Sequence, residues 1–427
     1  MTSSLARALR ALRLGVAASA FAAAAPSVAA DFDLISANTL ELTGDVRLSA
    51  ANGPKSWIDG GFGKIDTSGD GGNFRLKPQV GEANLVWTPQ FGWAFSGVVV
   101  GTLNGGERTR AGLSQAYLTY RPMRSQGLAF SARAGLLWPP VSLEHEGLDW
   151  HVADSITPSA INSWIGEEVR PVALEGNLDA TLGQSRIRAT AAVMAANDTA
   201  GTLLAFRGWA FNDRKTLAFV SQALPPLDDE FVHRQAPFTH PLIDLHNGFA
   251  NRPGYYVKLA WQAPAPVRLE LFRYDNRANP QDVSPQLEWG WRTAFDNAGV
   301  VATLGPATQL KMQALTGRTR MGFPRNGVRW VDNRFRSAFA LVSHGFGPVT
   351  ATARADLFDS RNKGSLADDE YDETGWSAMI AAKRQWGAVT ALAELLHVSS
   401  DTPAREYVGE EERQRQTQLQ AEVRMHW

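Results

Sequence analysis

Apolar and polar side chains exchange places at every position over stretch after stretch, the pattern of strands whose two faces meet different surroundings. LELTGDVRLS sets Leu40, Leu42, Val46 and Leu48 against Glu41, Thr43, Asp45, Arg47 and Ser49. FSARAGLLW sets Phe130, Ala132, Ala134, Leu136 and Trp138 against Ser131 and Arg133. In VALEGNLDATL, Val172, Leu174, Leu178, Ala180 and Leu182 oppose Glu175, Asn177, Asp179 and Thr181. VRLEL sets Arg268 and Glu270 against Val267, Leu269 and Leu271, and QLKMQA sets Lys311 against Leu310 and Met312. VTATARADL sets Arg354 and Asp356 against Val349, Ala351, Ala353, Ala355 and Leu357. The closing QTQLQAEVRMHW carries Glu422 and Arg424 on one parity and Leu419, Ala421, Val423, Met425 and Trp427 on the other.

Sixteen strands are predicted, over about 40–50, 73–88, 91–103, 112–121, 127–138, 168–182, 185–197, 252–262, 267–277, 287–302, 307–320, 334–344, 348–359, 372–386, 388–399 and 415–427. Tight connections such as Thr88-Pro89-Gln90, Leu182-Gly183-Gln184 and Trp386-Gly387 alternate with long polar ones, among them 51–72, 139–166, 198–251 and 321–333. That alternation describes an up-and-down meander with its long loops on one side. Trp87, Phe91, Trp93, Tyr117, Tyr120, Trp261, Phe346, Trp386 and Trp427 gather beside the tight turns, as an aromatic band at a membrane boundary does. The fold class is therefore all-β: a transmembrane antiparallel up-and-down β-barrel with short periplasmic turns and long extracellular loops. A soluble sandwich or propeller accounts for neither the loop alternation nor the aromatic band. Eighteen strands result instead if TLLAFRGWAF (202–211) and TLAFVSQAL (216–224) form a further hairpin; otherwise 198–251 is a lid or folded loop.

The first thirty residues hold Arg7, Arg10 and Arg13, an Ala-rich apolar run, and Val28-Ala29-Ala30 before Asp31. They read as a secretory signal cleaved after Ala30, leaving 31–427 as the barrel. No later run reaches the roughly 18 apolar residues of a membrane-crossing helix. The chain has no cysteine, which excludes disulfides, thiolate metal sites and cysteine nucleophiles. A net charge of −1 gives no reason to expect nucleic acid. Eight lysines against 34 arginines favour guanidinium pairing with carboxylates or anions.

With the apolar face toward lipid, the charged face lines a lumen too wide for side chains alone to fill, so an aqueous channel is expected. Its candidate wall is Arg47, Arg133, Arg188, Arg268, Glu270, Lys311, Arg354, Asp356, Glu422 and Arg424. These mixed signs suit either mutual ion pairs between strands or a ladder for anions. The loop 139–166 opens on Pro139-Pro140 and carries Glu144, His145, Glu146, Asp149, His151 and Asp154. It is a candidate constriction, its alternative being an outward loop. No cofactor and no metal is expected.

Together the signal, the alternating strands, the short turns, the long loop and the C-terminal aromatic resemble Gram-negative outer-membrane porins. AGLLWPPVSLEHEG (134–147) is similar to the Gly…Pro…Glu passage of phosphate-selective-type porins, although those use a lysine-rich and arginine-rich path and lysines are few here. The resemblance implies an outer-membrane location and a passive or weakly selective channel for small hydrophilic solutes or ions. It also implies contacts with outer-membrane lipids, an insertion signal at Trp427 read by the barrel-assembly machinery, and a homotrimer. Two alternatives are an outer-membrane lipid hydrolase using His397 and Ser399, and a substrate-specific outer-membrane transporter. No enzymatic activity is expected.

Overall fold

The computed structural model describes residues 37–69, 71–105, 111–122, 127–243, 252–366 and 370–427. The signal read at 1–30 lies outside the described residues. Sixteen antiparallel strands close into one barrel. In chain order they are β1 (Ala37–Gly53), β2 (Gly71–Phe91), β3 (Phe95–Asn104), β4 (Ala111–Tyr120), β5 (Leu128–Leu136), β6 (Val172–Leu182), β7 (Ser185–Ala196) and β8 (Gly254–Gln262). The second half adds β9 (Val267–Asp275), β10 (Arg292–Gly305), β11 (Thr308–Arg325), β12 (Val328–Phe346), β13 (Val349–Asn362), β14 (Glu373–Trp386), β15 (Val389–Asp401) and β16 (Arg413–His426). Each strand pairs with its sequence neighbours. β16 returns antiparallel to β1, placing Ala421 opposite Leu48 and Leu419 opposite Ala50.

Register follows from the alternation, because a slip of one residue would exchange the two faces along a whole strand. Leu40, Val46, Leu174, Leu271, Leu357 and Leu419 are exposed on the outside, while Glu175, Glu270, Lys311, Arg354, Asp356 and Glu422 are buried within. At one end the hairpins are tight. Leu182 pairs with Ser185 across Gly183-Gln184, and Trp386 with Val389 across Gly387-Ala388. Gly183 (φ 59°) supplies the left-handed backbone that such a turn favours. Trp93, Trp261, Phe346, Trp386 and Trp427 stand exposed at this end, and the backbone of Trp427 exchanges hydrogen bonds of 2.8 and 3.1 Å with Leu42.

One alternative is excluded and three expectations are corrected. Residues 202–211 and 216–224 are not strands of the barrel: 202–206 form a short helix, Phe211 makes a single bridge to Ile65, and a two-residue ladder pairs Gln222–Ala223 with Phe238–Thr239. The barrel therefore has sixteen strands, not eighteen. The strand expected from 168 begins at Val172, because Ala160–Glu168 is helical. The stretch 321–333 is not a loop but a continued hairpin, β11 reaching Arg325 and β12 starting at Val328. Tyr117 faces inward rather than joining the outer band, and the Arg133 guanidinium lies 5.2 Å from its ring centre.

Gly135 is a fixed point of the β4–β5 pairing. Its φ is +140°, and a Cβ there would sit 2.2 Å from the carbonyl oxygen of Ala116. Gly135→Val is expected to destabilise the barrel by about 2 kcal/mol or more, read as a lowered urea midpoint of the detergent-folded protein. An unchanged midpoint would contradict this register.

Candidate functional site

Three segments at the long-loop end turn into the barrel instead of away from it. The first follows β1 and buries Phe62, Lys64 and Ile65. The second, 137–171, joins β5 to β6. The third follows β7, and its described part ends at 243.

The second segment is shaped by its own sequence. Pro158 precedes the helix α1 (Ala160–Glu168), and Ser159 caps it by accepting from the Asn162 backbone N–H at 3.3 Å. The free N–H of Ala160 points at Asp356 of β13, 3.3 Å away, where a carboxylate suits the positive end of the helix. Arg354, two residues earlier on the same inward face, joins the helix to the wall. Its Nη1 donates to Glu144 at 3.0 Å and to the Thr157 carbonyl at 2.7 Å, its Nη2 to the Pro158 carbonyl at 3.0 Å, and its Nε to Asp356 at 2.9 Å. Glu144 also accepts from the Ser159 N–H at 3.0 Å and from Asn162 at 2.6 Å. Glu394 of β15 accepts from the Ile156 and Thr157 N–H groups at 2.7 and 2.9 Å.

The other acids of this segment meet the wall as well. Asp154 lies 2.8 Å from Lys311 and 3.6 Å from Lys383. Burial raises its carboxyl, but the two ammonium groups more than offset that and hold it below the usual carboxylate range. Asp149 accepts from Thr43 at 3.0 Å and pairs with His151 at 2.9 Å. Burial again opposes ionisation there, and His151, Lys215 and Thr43 overcome it. Glu146 is different: its side chain is 63% exposed and its nearest cation, Lys311, is 3.9 Å away. His145 stacks on Trp150 at 3.6 Å between ring centres, Trp150 on Trp138 at 4.2 Å, and the Arg170 guanidinium covers Trp138 at 4.9 Å. Burial, with Lys215 the largest of the cationic contributors, pushes His145 well below its ordinary value and so keeps it neutral.

The third segment, with α2 (Thr202–Phe206), closes over α1. Arg207 forks onto Glu167 with two bonds of 2.7 Å, both side chains fully buried. Lys64 from the first segment reaches Glu373 at 2.5 Å, and Glu373 accepts the Trp209 N–H at 2.7 Å. Glu168 accepts from the Trp164 indole at 2.7 Å and from the Gly201 and Leu203 N–H groups at 2.9 and 3.1 Å. Trp164 meets Trp209, Phe295 and Phe335 edge-on, at 6.1, 5.3 and 5.3 Å between ring centres. Such contacts contribute about 0.5–1.5 kcal/mol each beyond area burial. At this level the interior is packed side chain.

Open space lies toward the short-turn end, in a cavity of about 1070 Å³ between β4 and β9. Six cations (Arg121, Arg133, Arg186, Arg188, Lys258 and Arg268) and three carboxylates (Glu175, Asp179 and Glu270) line it, beside the Trp138, Trp150 and His145 stack. Arg133 forks onto Glu175 at 2.8 and 2.7 Å, and Arg188 onto Asp179 at 2.6 and 3.0 Å. Lys258 and Arg268 share Glu270 at 2.7 and 2.9 Å. Arg121 and Arg186 have no ion-pair partner among the described residues. On the far side Arg47 joins Asp45, Glu422 and Asp213 at 2.8, 2.5 and 2.6 Å. Arg424 joins Glu422 at 2.7 Å and donates to the Val152 carbonyl at 2.7 Å.

Every wall residue read from the sequence thus lies on the inward face, and each is paired. Reading the sequence missed Glu167, Glu168, Arg207, Lys64, Glu373, Asp213 and Lys215, whose partners lie far away in the chain. The adjacent acids Glu167-Glu168 directly after an apolar run were their one local signal. Among the described residues, no group of three His, Cys, Asp or Glu is placed to hold a metal ion.

No protein-family model matches the chain, and no curated protein matches it. Solved structures do match in fold. The outer-membrane channel DcaP of Acinetobacter baumannii is 12% identical, with a TM-score of 0.57 over 91% of this chain and 97% of that one. The anion-selective porin from Comamonas acidovorans is 12% identical, with a TM-score of 0.52 over 92% of this chain and 100% of that one. The chain has the barrel fold of these outer-membrane proteins.

Burial pushes the Glu168 carboxyl up to about 7 against the three hydrogen bonds it accepts. A pKa raised on folding contributes stability that is present at low pH and lost as pH rises through the folded value. The thermal midpoint of the native chain, relative to Glu168→Gln, is therefore expected to fall between about pH 4.5 and pH 7 and to level off above that. Parallel pH profiles for the two proteins would contradict the assignment.

Proposed function

We propose that the chain is a diffusion channel of the outer membrane, passing small hydrophilic solutes or ions without altering them. The observation that carries the reading is the inversion of an ordinary fold: a band of apolar residues outside, and charged, hydrogen-bonded residues inside around an open vestibule. Segment 137–171 is the constriction. Glu144, Asp149 and Asp154 are occupied in holding it to the wall, so Glu146 is the acid of the loop that a passing solute meets. Lumen residues divide in the same way. Arg47 and Arg354 are structural ties, whereas Arg121, Arg186, Arg188 and Arg268 present charge to the vestibule. Six cations against three carboxylates give that vestibule a preference for anions.

In this reading the long-loop end faces the outside of the cell and both termini face the periplasm. The leader directs export, and Trp427 is the insertion signal read by the barrel-assembly machinery. A homotrimer is the assembly proposed. The stacked Trp138, Trp150 and His145 at the vestibule favour a second reading, a substrate-specific channel for solutes with a flat ring or sugar face. A lipid hydrolase has little support in the geometry. His397 and Ser399 do share the outward face, but His397 Nδ1 pairs with Thr417 Oγ1 at 2.9 Å and its ring lies against Trp376.

Purified barrels in planar bilayers are expected to give stepwise conductance, with a reversal potential on the anion side in a salt gradient. Replacing Arg121 and Arg186 together by alanine should move that potential toward the cation side. A silent bilayer with folded protein would sink the channel, and an unmoved potential would sink the anion preference.

A further inference from the structure

The outward face carries charge that a lipid-facing surface does not need. On β11 the outward residues run Leu310, Met312, Ala314 and Thr316, and then Arg318 and Arg320. On β12 they run Phe346, His344, Val342, Ala340 and Ala338, and then Arg336, Arg334 and Asp332. The first arginines, Arg318 and Arg336, come ten residues from the short-turn end of each strand, roughly 24 Å of height for a strand tilted by about 45°. The arginines therefore sit at the long-loop boundary of the apolar band, not on the loops above it.

Their mutual placement is unfavourable without a counter-charge. Arg292 stands directly opposite Arg320, Arg318 opposite Arg334, and Arg334 opposite Arg361. Like charges directly opposed across strands destabilise a sheet. Asp275 partly relieves Arg292 at 3.4 Å and Asp372 partly relieves Arg361 at 3.3 Å, but the acids on β11–β13 are too few for the rest. Asp332 is taken by Arg318, and Asp359 is shared by Arg336 at 2.9 Å and Arg361 at 3.2 Å. Arg320 and Arg334 have no ion pair among the described residues, and the Arg320 Nε is buried without a hydrogen-bond partner. Below this cluster the same outer wall is hollowed. A groove of about 800 Å³ runs over Ala189, Leu259, Leu271, Ala298 and Ala314, and its upper rim is the pair Arg273–Asp296 at 2.6 Å. Arg336 stands directly opposite Thr316, which lines the groove.

We propose that this face binds one phosphorylated lipid of the long-loop-side leaflet, its phosphate between Arg318, Arg320 and Arg334 and an acyl chain in the groove. Guanidinium groups give phosphate a bidentate, charge-assisted contact. The small residues of the groove leave room for a chain that a wall of leucines would exclude. An anionic headgroup with an attached chain satisfies both halves of the site; a soluble anion satisfies the upper half only. The inference rests on the barrel lying in a membrane and not on conduction, so a silent bilayer would leave it standing.

The test is lipid retention by the intact folded barrel. Full-length protein in nanodiscs of phosphatidylcholine with a small fraction of phosphatidic acid is released into detergent, and the lipid that stays bound is counted by native mass spectrometry. The native chain is expected to keep phosphatidic acid at least tenfold over phosphatidylcholine. Replacing Arg318, Arg320 and Arg334 together by serine should abolish the preference. Arg334→Ser alone, which breaks no ion pair, should reduce it severalfold. Ala298→Trp, which fills the groove and leaves every arginine, should also reduce it. Equal retention of the two lipids by the native chain, or a preference untouched in all three variants, would overturn the proposal. So would displacement of the lipid by millimolar inorganic phosphate, which would make the site one for a free anion. A copy of this chain shielding the face, seen as a dimer or trimer that holds no lipid there, would overturn it too.

Discussion

A closed sheet of sixteen strands encloses more space than its own side chains can fill. An empty bore would be a large unselective hole, and a dry one would need apolar filling that an inward face rich in arginine and glutamate cannot supply. The chain meets this constraint by returning three of its own segments into the barrel and bonding them to the wall. The wall charges are therefore attachments first: Arg354 holds Glu144 and the turn before α1, Lys311 and Lys383 hold Asp154, Glu394 holds two backbone N–H groups, and Arg47 holds Asp213.

The electrostatics follow the same division. Where segments fill the interior, ions are fully desolvated, which is costly unless each has a close partner and its remaining hydrogen bonds are satisfied. Arg207 on Glu167 and Arg354 between Glu144 and Asp356 meet that requirement with two or more bonds each. Removing one member of such a pair leaves a buried charge, at a cost of about 3–5 kcal/mol. Where the interior is open, between β4 and β9, pairing is incomplete and cations outnumber acids. The same residue types thus stand in two settings, and the burial of a guanidinium separates a tie to the wall from a charge open to the cavity.

The barrel was legible in the sequence because a two-sided strand must alternate, and sixteen such strands with alternating turn lengths leave little freedom. Leu40 to Ser49 and Gln416 to Trp427 each gave their two faces residue by residue. Reading failed where the surroundings are not those of a strand. TLLAFRGWAF is apolar because it is buried inside the barrel, not because it faces lipid, and short apolar runs do not distinguish those two causes. Tyr117 sits beside a tight turn as an interface aromatic does, but its parity points it inward. The continued hairpin of β11 and β12 is polar because it rises above the apolar band, so its polarity reads as loop. The role of the wall arginines was undecided for a simpler reason. Some of their partners, such as Glu144 for Arg354 or Asp213 for Arg47, lie more than a hundred residues away, and no local pattern encodes that distance.

The central claim is that a segment of the chain, tied to the wall by Arg354, sets the passage through the barrel. Single-channel recording of Arg354→Ala, with the barrel still folded by its heat-dependent gel migration, tests this most directly. Freed of its tie, the segment should leave the lumen, giving a larger and noisier conductance step than the native chain. An identical step with identical noise would mean that the segment does not control the passage.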